Sequence, residues 1–122
     1  MTYLHYLIAC QERDVEAIKK MLTHDIRLNI VSKEGVEFQG DYNQIIDLLD
    51  GFFREECLWD FDVLHRAERP NEELILIKAT REDSATGNIG TYLLLLTLDK
   101  EKKEQYLKKM HVEVVCPIKD SW

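Results

Sequence analysis

The hydrophobic period of this chain shifts from mainly helical to a lasting period of two at Cys57, and that change constrains the fold more than any other feature. Before it, apolar residues recur at helical spacing over most of the chain; after it they alternate. Cys57, Trp59, Phe61, Val63, His65 and Ala67 share one face of a strand, and Leu58, Asp60, Asp62, Leu64 and Arg66 the other. Arg69-Pro70-Asn71-Glu72 reads as a hairpin loop, Thr86-Gly87-Asn88 as a second, and residues 99–105 as a third. The strands between them are apolar on both sides, at Leu74–Ile77 and along Ile89–Leu98, and Leu107–Cys116 closes the series. Helices first and a four-strand antiparallel meander last define an α+β chain.

The first part of the chain supplies the helices. Leu4, Leu7 and Ile8 lie at i, i+3, i+4 spacing, with Tyr3, Tyr6 and Cys10 extending that face. Arg13-Asp14 breaks this helix, and the Asp14 carboxylate can cap the next, whose inner stripe is Val15, Ile18 and Leu22. Ile26, Leu28 and Ile30 then alternate as a strand, and Val36 and Phe38 form a very short one. Asp41 and Gln44 have capping-box spacing and open a third helix of about residues 42–55. Its apolar positions, Ile45, Ile46, Leu48, Leu49, Phe52 and Phe53, cover a wide arc, which predicts the most buried helix of the three.

Composition narrows the partners. A chain of 122 residues fits one domain, residues 1–122, with one core. Its formal net charge of −7 argues against nucleic acid or an anionic membrane as partner. The lysines between Lys100 and Lys109 are interrupted by Glu101 and Glu104 and read as a solvated hairpin end. The cysteines, Cys10, Cys57 and Cys116, have no metal-ligand or redox spacing, so reduced thiols of an intracellular protein are expected. The N-terminus carries no secretory pattern, and the run Tyr92–Leu96 is too short to span a bilayer; a cytoplasmic location is the default expectation. No phosphate-binding glycine loop, nucleophile elbow or zinc spacing occurs, so neither cofactor nor metal is expected.

The segments RDVEAIKKMLTHDIRLNI and FQGDYNQIIDLLDGFF, with the hairpin series from Asp60 to Val115, resemble the nuclear transport factor two-like superfamily. That group includes ketosteroid isomerase and the SnoaL-like polyketide cyclases. The resemblance covers nearly the whole chain. It implies a cystatin-like cone, with N-terminal helices packed in a strongly curved, mostly antiparallel sheet. The superfamily holds enzymes, binding modules and docking proteins, so fold alone does not choose among them. The isomerase's oxyanion-hole tyrosine lies eight residues before the helix-breaking aspartate, which here makes it Tyr6 before Asp14. Its general base falls at Ile30 and its second, acidic donor near Leu94. The reaction needs a base and two donors, and one tyrosine cannot replace them, so isomerase chemistry is rejected for this chain.

The remaining candidates are weighed against plainer roles. Tyr6 can donate to a ligand carbonyl, although a tyrosine bonded to backbone or water is the plainer account. His65, with Trp59 and Phe61, can line a pocket as an acid or base; a histidine at the sheet rim is the plainer account. Trp59 and Tyr92 can stack on a flat ligand or simply pack the core. Asp60 with Asp62, and His111 with Glu113, are possible ligand pairs or solvated surface. The expectation is a non-enzymatic module that binds a small apolar ligand, contacted by Tyr6, Trp59, Phe61, His65 and Tyr92, or serves as an interaction module. Because the strands carry more apolar residues than one covered face needs, a homodimer through the outer sheet face is also expected. The alternatives are a SnoaL-like isomerase, cyclase or hydratase acting through Tyr6 and His65, and a scaffold that binds another protein through the acidic surface.

Overall fold

A computed structural model describes residues 2–54, 57–100 and 106–116, with the backbone alone at residues 2 and 52–54. In order, the elements are α1 (Thr2–Glu12), α2 (Val15–Met21), β1 (Leu22–Val31), β2 (Glu37–Gly40), α3 (Tyr42–Arg54), β3 (Cys57–Arg69), β4 (Glu72–Asp83), β5 (Ile89–Asp99) and β6 (Tyr106–Val115). The chain is α+β, as the change of period implies. Residues 101–105 of the predicted third hairpin loop lie outside the described residues.

Local chemistry places the breaks. Arg13 adopts a left-handed φ of 58° between α1 and α2. Asp14 caps α2, its Oδ1 accepting from Ala17 N at 3.1 Å. At α3, Asp41 Oδ1 accepts from Gln44 N at 3.1 Å while Gln44 Oε1 accepts from Asp41 N at 2.9 Å, a reciprocal capping box. Asn71 and Gly87 supply the positive φ that the two described hairpins require.

The six strands form one sheet in the order β2-β1-β6-β5-β4-β3. All pairings are antiparallel except β1 with β6, which is parallel. That pairing returns the last strand to the first and joins the two halves of the chain. The inner face carries Ile26, Leu28, Ile75, Ile77, Leu96, Leu98, Leu107 and Met110 into one buried cluster with the helices.

Two sequence expectations are corrected. The buried stripe of α1 is Tyr3, Tyr6, Leu7, Ala9 and Cys10, whereas Leu4 and Ile8 are 45% and 49% exposed. Both arcs satisfy helical spacing, and the one holding two tyrosines and a small thiol is the one the sheet accepts. In α3, Ile45 and Ile46 are buried and Leu48 and Leu49 partly so, while Phe52 and Phe53 of the predicted arc lie outside the described side chains.

The second correction is in β3. Val63 pairs with Ile77 but His65 pairs with Leu76, so Leu64 is an extra residue in the ladder. Such a bulge moves every later side chain to the other face. Trp59, Phe61 and Val63 face inward with Ala79 and Ile77; His65 and Ala67 face outward with Leu76 and Leu74. The shared face expected for His65, Trp59 and Phe61 does not exist. Arg66 takes the inner position, where its Nε donates to Glu73 Oε1 at 3.0 Å and its guanidinium lies 4.8 Å from the Tyr3 ring centroid.

Candidate functional site

Between the helices and the inner sheet face lies a cavity of about 120 Å³. Helix α1 contributes Tyr6 and Cys10, and α3 contributes Ile45, Leu48 and Leu49. Alternate residues of the strands complete the wall: Leu28 and Ile30 from β1, Tyr92 and Leu94 from β5, and Met110, Val112 and Val114 from β6. Trp59 and Phe61 close it from β3. Their rings are parallel, 5.9 Å apart, and Trp59 meets Tyr92 at 5.7 Å with a 40° tilt. Gly90 makes room for this group: a Cβ there would stand 3.0 Å from the Tyr92 hydroxyl.

Four residues singled out from the sequence, Tyr6, Trp59, Phe61 and Tyr92, thus converge on one space. His65 does not. It is exposed on the opposite face, beyond the bulge. Asp60 and Asp62 are exposed and pair with Thr80 and Lys78 on that outer side. His111 and Glu113 are also outward, with Nε2 2.8 Å from Oε1, while His111 Nδ1 lies 3.1 Å from Asn29 Nδ2. Among the described residues no group of three His, Cys, Asp or Glu side chains is arranged to hold a metal ion. The contributions of Cys10 and α3 were not anticipated. The period-two pattern of β6 places Met110, Val112 and Val114 on this wall.

Inside the cavity the chemistry is spare. Among the described lining residues none is a carboxylate, imidazole, amine or guanidinium. The Tyr6 hydroxyl is buried and donates to the Met110 sulfur at 3.9 Å, a weak acceptor at long range. Burial first, and then the neighbouring Cys10 thiol, hold the hydroxyl well above its ordinary pKa. Burial likewise pushes the Cys10 thiol up to about 12, against an opposing contribution from Tyr6. Both groups stay protonated near neutral pH: Tyr6 can donate a hydrogen bond, and Cys10 is not a thiolate nucleophile. Ile30, where the resemblance puts the isomerase's general base, and Leu94, near which it puts the second donor, both face this cavity and are hydrocarbon.

Cys57, at the start of β3, is buried and held from two sides. Arg81 Nε donates to its Sγ at 3.1 Å and Arg13 Nη2 to its carbonyl at 3.0 Å. These contacts fasten the helix break to the strand that carries Trp59 and Phe61.

No protein-family profile matches the chain, and no curated protein sequence does either. Solved structures do. The fold is similar to a ketosteroid isomerase-like protein from Erwinia carotovora atroseptica, with a TM-score of 0.69 at 14% identity, covering 95% of this chain and 92% of that one. A proposed dehydratase of the NTF2-like family from Streptomyces avermitilis gives 0.73 at 9% identity, covering 95% and 92%. A proposed aromatic ring hydroxylase from Novosphingobium aromaticivorans gives 0.74 at 11%, covering 95% and 85%. The chain has the NTF2-like cone fold; identities this low carry the fold and no activity.

Proposed function

We propose that this chain is a non-enzymatic binding module that takes one small apolar molecule into the cone. The observation that carries this is the Tyr6 hydroxyl, a strong donor that α1 places among mostly apolar walls, with the Met110 thioether and the Cys10 thiol as its neighbours. A ligand with an apolar body and a single carbonyl or ether oxygen satisfies that donor and fills the remaining space. The cavity is on the scale of the engineered cavity of about 150 Å³ that holds benzene, so the fitting class is a one-ring molecule. Turnover through Tyr6 and His65 lacks support, because the sheet lies between them. A donor without a base stabilises a bound oxygen but moves no proton.

The test uses Trp59 fluorescence in a Trp122→Phe background, with cyclohexanone and benzene as probes. Both quench or shift emission in the parent protein. Tyr6→Phe weakens cyclohexanone several-fold, corresponding to about 1 kcal/mol for one hydrogen bond, and leaves benzene unchanged. Equal cyclohexanone affinity in parent and variant would remove Tyr6 from the reading. Saturation by neither probe would remove the binding module itself.

A further inference from the structure

A second, open groove of about 650 Å³ runs across the strands, separate from the cone cavity. A volume of that order is ordinary for a small-molecule site. Arg27 of β1 pairs with Lys109 of β6, Lys109 with Thr97 of β5, and Thr97 with Leu74 of β4. These four residues form one row along the groove, and Leu95 lies beside it. The row is graded. Its β1 end carries two exposed cations side by side, Thr97 in the middle is buried, and the far end is leucine. Like charges directly opposite each other on paired strands oppose folding. In a chain of net charge −7, neither Arg27 nor Lys109 has an ion-pair partner among the described residues. The other charged side chains lining the groove are engaged elsewhere. Arg69 donates to Glu72, and Asp41 Oδ1 caps α3. The charge that the groove leaves unanswered is therefore positive, and it sits at one end of an apolar track.

We propose that this groove binds a small organic anion, a carboxylate with an apolar tail, at Arg27, Lys109, Leu74 and Leu95. The carboxylate lies between the Arg27 guanidinium and the Lys109 ammonium, where charge-assisted hydrogen bonds to both replace their mutual repulsion. The tail crosses Thr97 toward Leu74 and Leu95, which lose their water against it. From the β6 strand to the β4 strand is two strand spacings, about 10 Å, so an extended acid of about eight carbons matches the row. The two sites differ in kind. The cone offers a neutral hydroxyl to a neutral oxygen, whereas this groove offers fixed charge to an anion, and neither depends on the other.

Nitrogen-15 NMR titration of the full chain with octanoate, octan-1-ol and acetate tests this. Octanoate saturates and shifts the amides of Arg27, Thr97 and Lys109, leaving the Trp59 indole signal in place. Octanol lacks the charge and acetate the tail, so both bind many-fold more weakly. Arg27→Gln and Lys109→Gln each weaken octanoate several-fold, and added salt weakens it in the parent, because the cations are exposed and screened. Lys33→Gln, in the turn after β1, removes the same charge from the chain and leaves octanoate affinity unchanged. Neither groove variant lowers Tm, since each relieves a repulsion at the surface. Shifts centred on the Trp59 indole, or equal octanoate affinity in the parent and both groove variants, overturn the groove as the site. Equal binding of octanol overturns the anionic class, and a weakening by Lys33→Gln equal to that by Lys109→Gln reduces the effect to net charge and overturns the contact. A marked fall in Tm on Lys109→Gln makes the cation structural and overturns its assignment to a ligand. None of these outcomes touches the cone, whose neutral probes are read at Trp59.

Discussion

At the residue scale, the cavity depends on side chains that make room as much as on those that fill it. Gly90 is an example. The Tyr92 hydroxyl lies 3.0 Å from where its Cβ would be, and the Tyr92 ring in turn packs against Trp59. Gly90→Ala forces the ring to shift by a few tenths of an ångström. We expect a loss of about 1 kcal/mol with the fold retained. Trp59 emission and near-ultraviolet circular dichroism change with it, and weaker probe binding follows. Unchanged aromatic signals would mean that Tyr92 does not depend on this gap. Tyr6 illustrates the converse: the hydroxyl is kept, and the positions that would give it a catalytic partner, Ile30 and Leu94, are aliphatic.

At the element scale, the bulge in β3 is decisive. One extra residue, Leu64, sends His65 outward and turns Arg66 inward onto buried Glu73, which is 2% exposed. The pair sits under α1, with Tyr3 stacked on the guanidinium, so it holds the first helix to the sheet. Arg66→Met removes a cation from beside the buried Glu73 carboxylate and lowers stability, to an extent moderated by the exposure of the guanidinium. Adding Glu73→Leu removes the stranded charge and recovers most of that loss. Denaturant unfolding of the two variants measures the difference. Equal destabilisation by single and double variants would mean that packing, not charge, dominates there.

At the scale of the whole molecule, the β3–β4 hairpin end of the sheet is tied by a charge network across three strands. Glu72 on β4 accepts from Lys108 of β6 at 2.7 Å and from Arg69 of β3 at 2.7 Å. Hydrogen bonds from Lys108 first, and then Arg69, hold its carboxyl down at about 2, from an ordinary 4.5. A lowered carboxyl pKa stabilises the fold above the unfolded value and loses that contribution as pH falls through the folded one. Glu72→Gln should therefore lower Tm at pH 7, and the gap from the parent should narrow between about pH 4.5 and about pH 2. Thermal melts across that window check the sign; a gap that is constant with pH would exclude ionisation as its source.

What the sequence determined by itself was the set of elements and their order. Asp14, Asp41 with Gln44, and the turn residues Asn71 and Gly87 act within a few positions of themselves, so their effects were legible without a fold. The alternation in β3 was legible for the same reason, and it brought Trp59 and Phe61 forward as candidates for one site. The tertiary structure decided which of two equivalent arcs of α1 is buried, where β3 skips a residue, and that β6 pairs in parallel with β1. Each depends on a partner distant in sequence. A bulge exists only relative to the strand opposite, and helical spacing cannot choose between Leu4–Ile8 and Tyr3–Cys10 until a sheet with a particular curvature is present. His65 was misplaced because period two carries no memory of an inserted residue. Tyr6 was found, but that its hydroxyl meets the Met110 and Cys10 sulfurs among mostly apolar walls is a property of the folded cone, which no local pattern encodes.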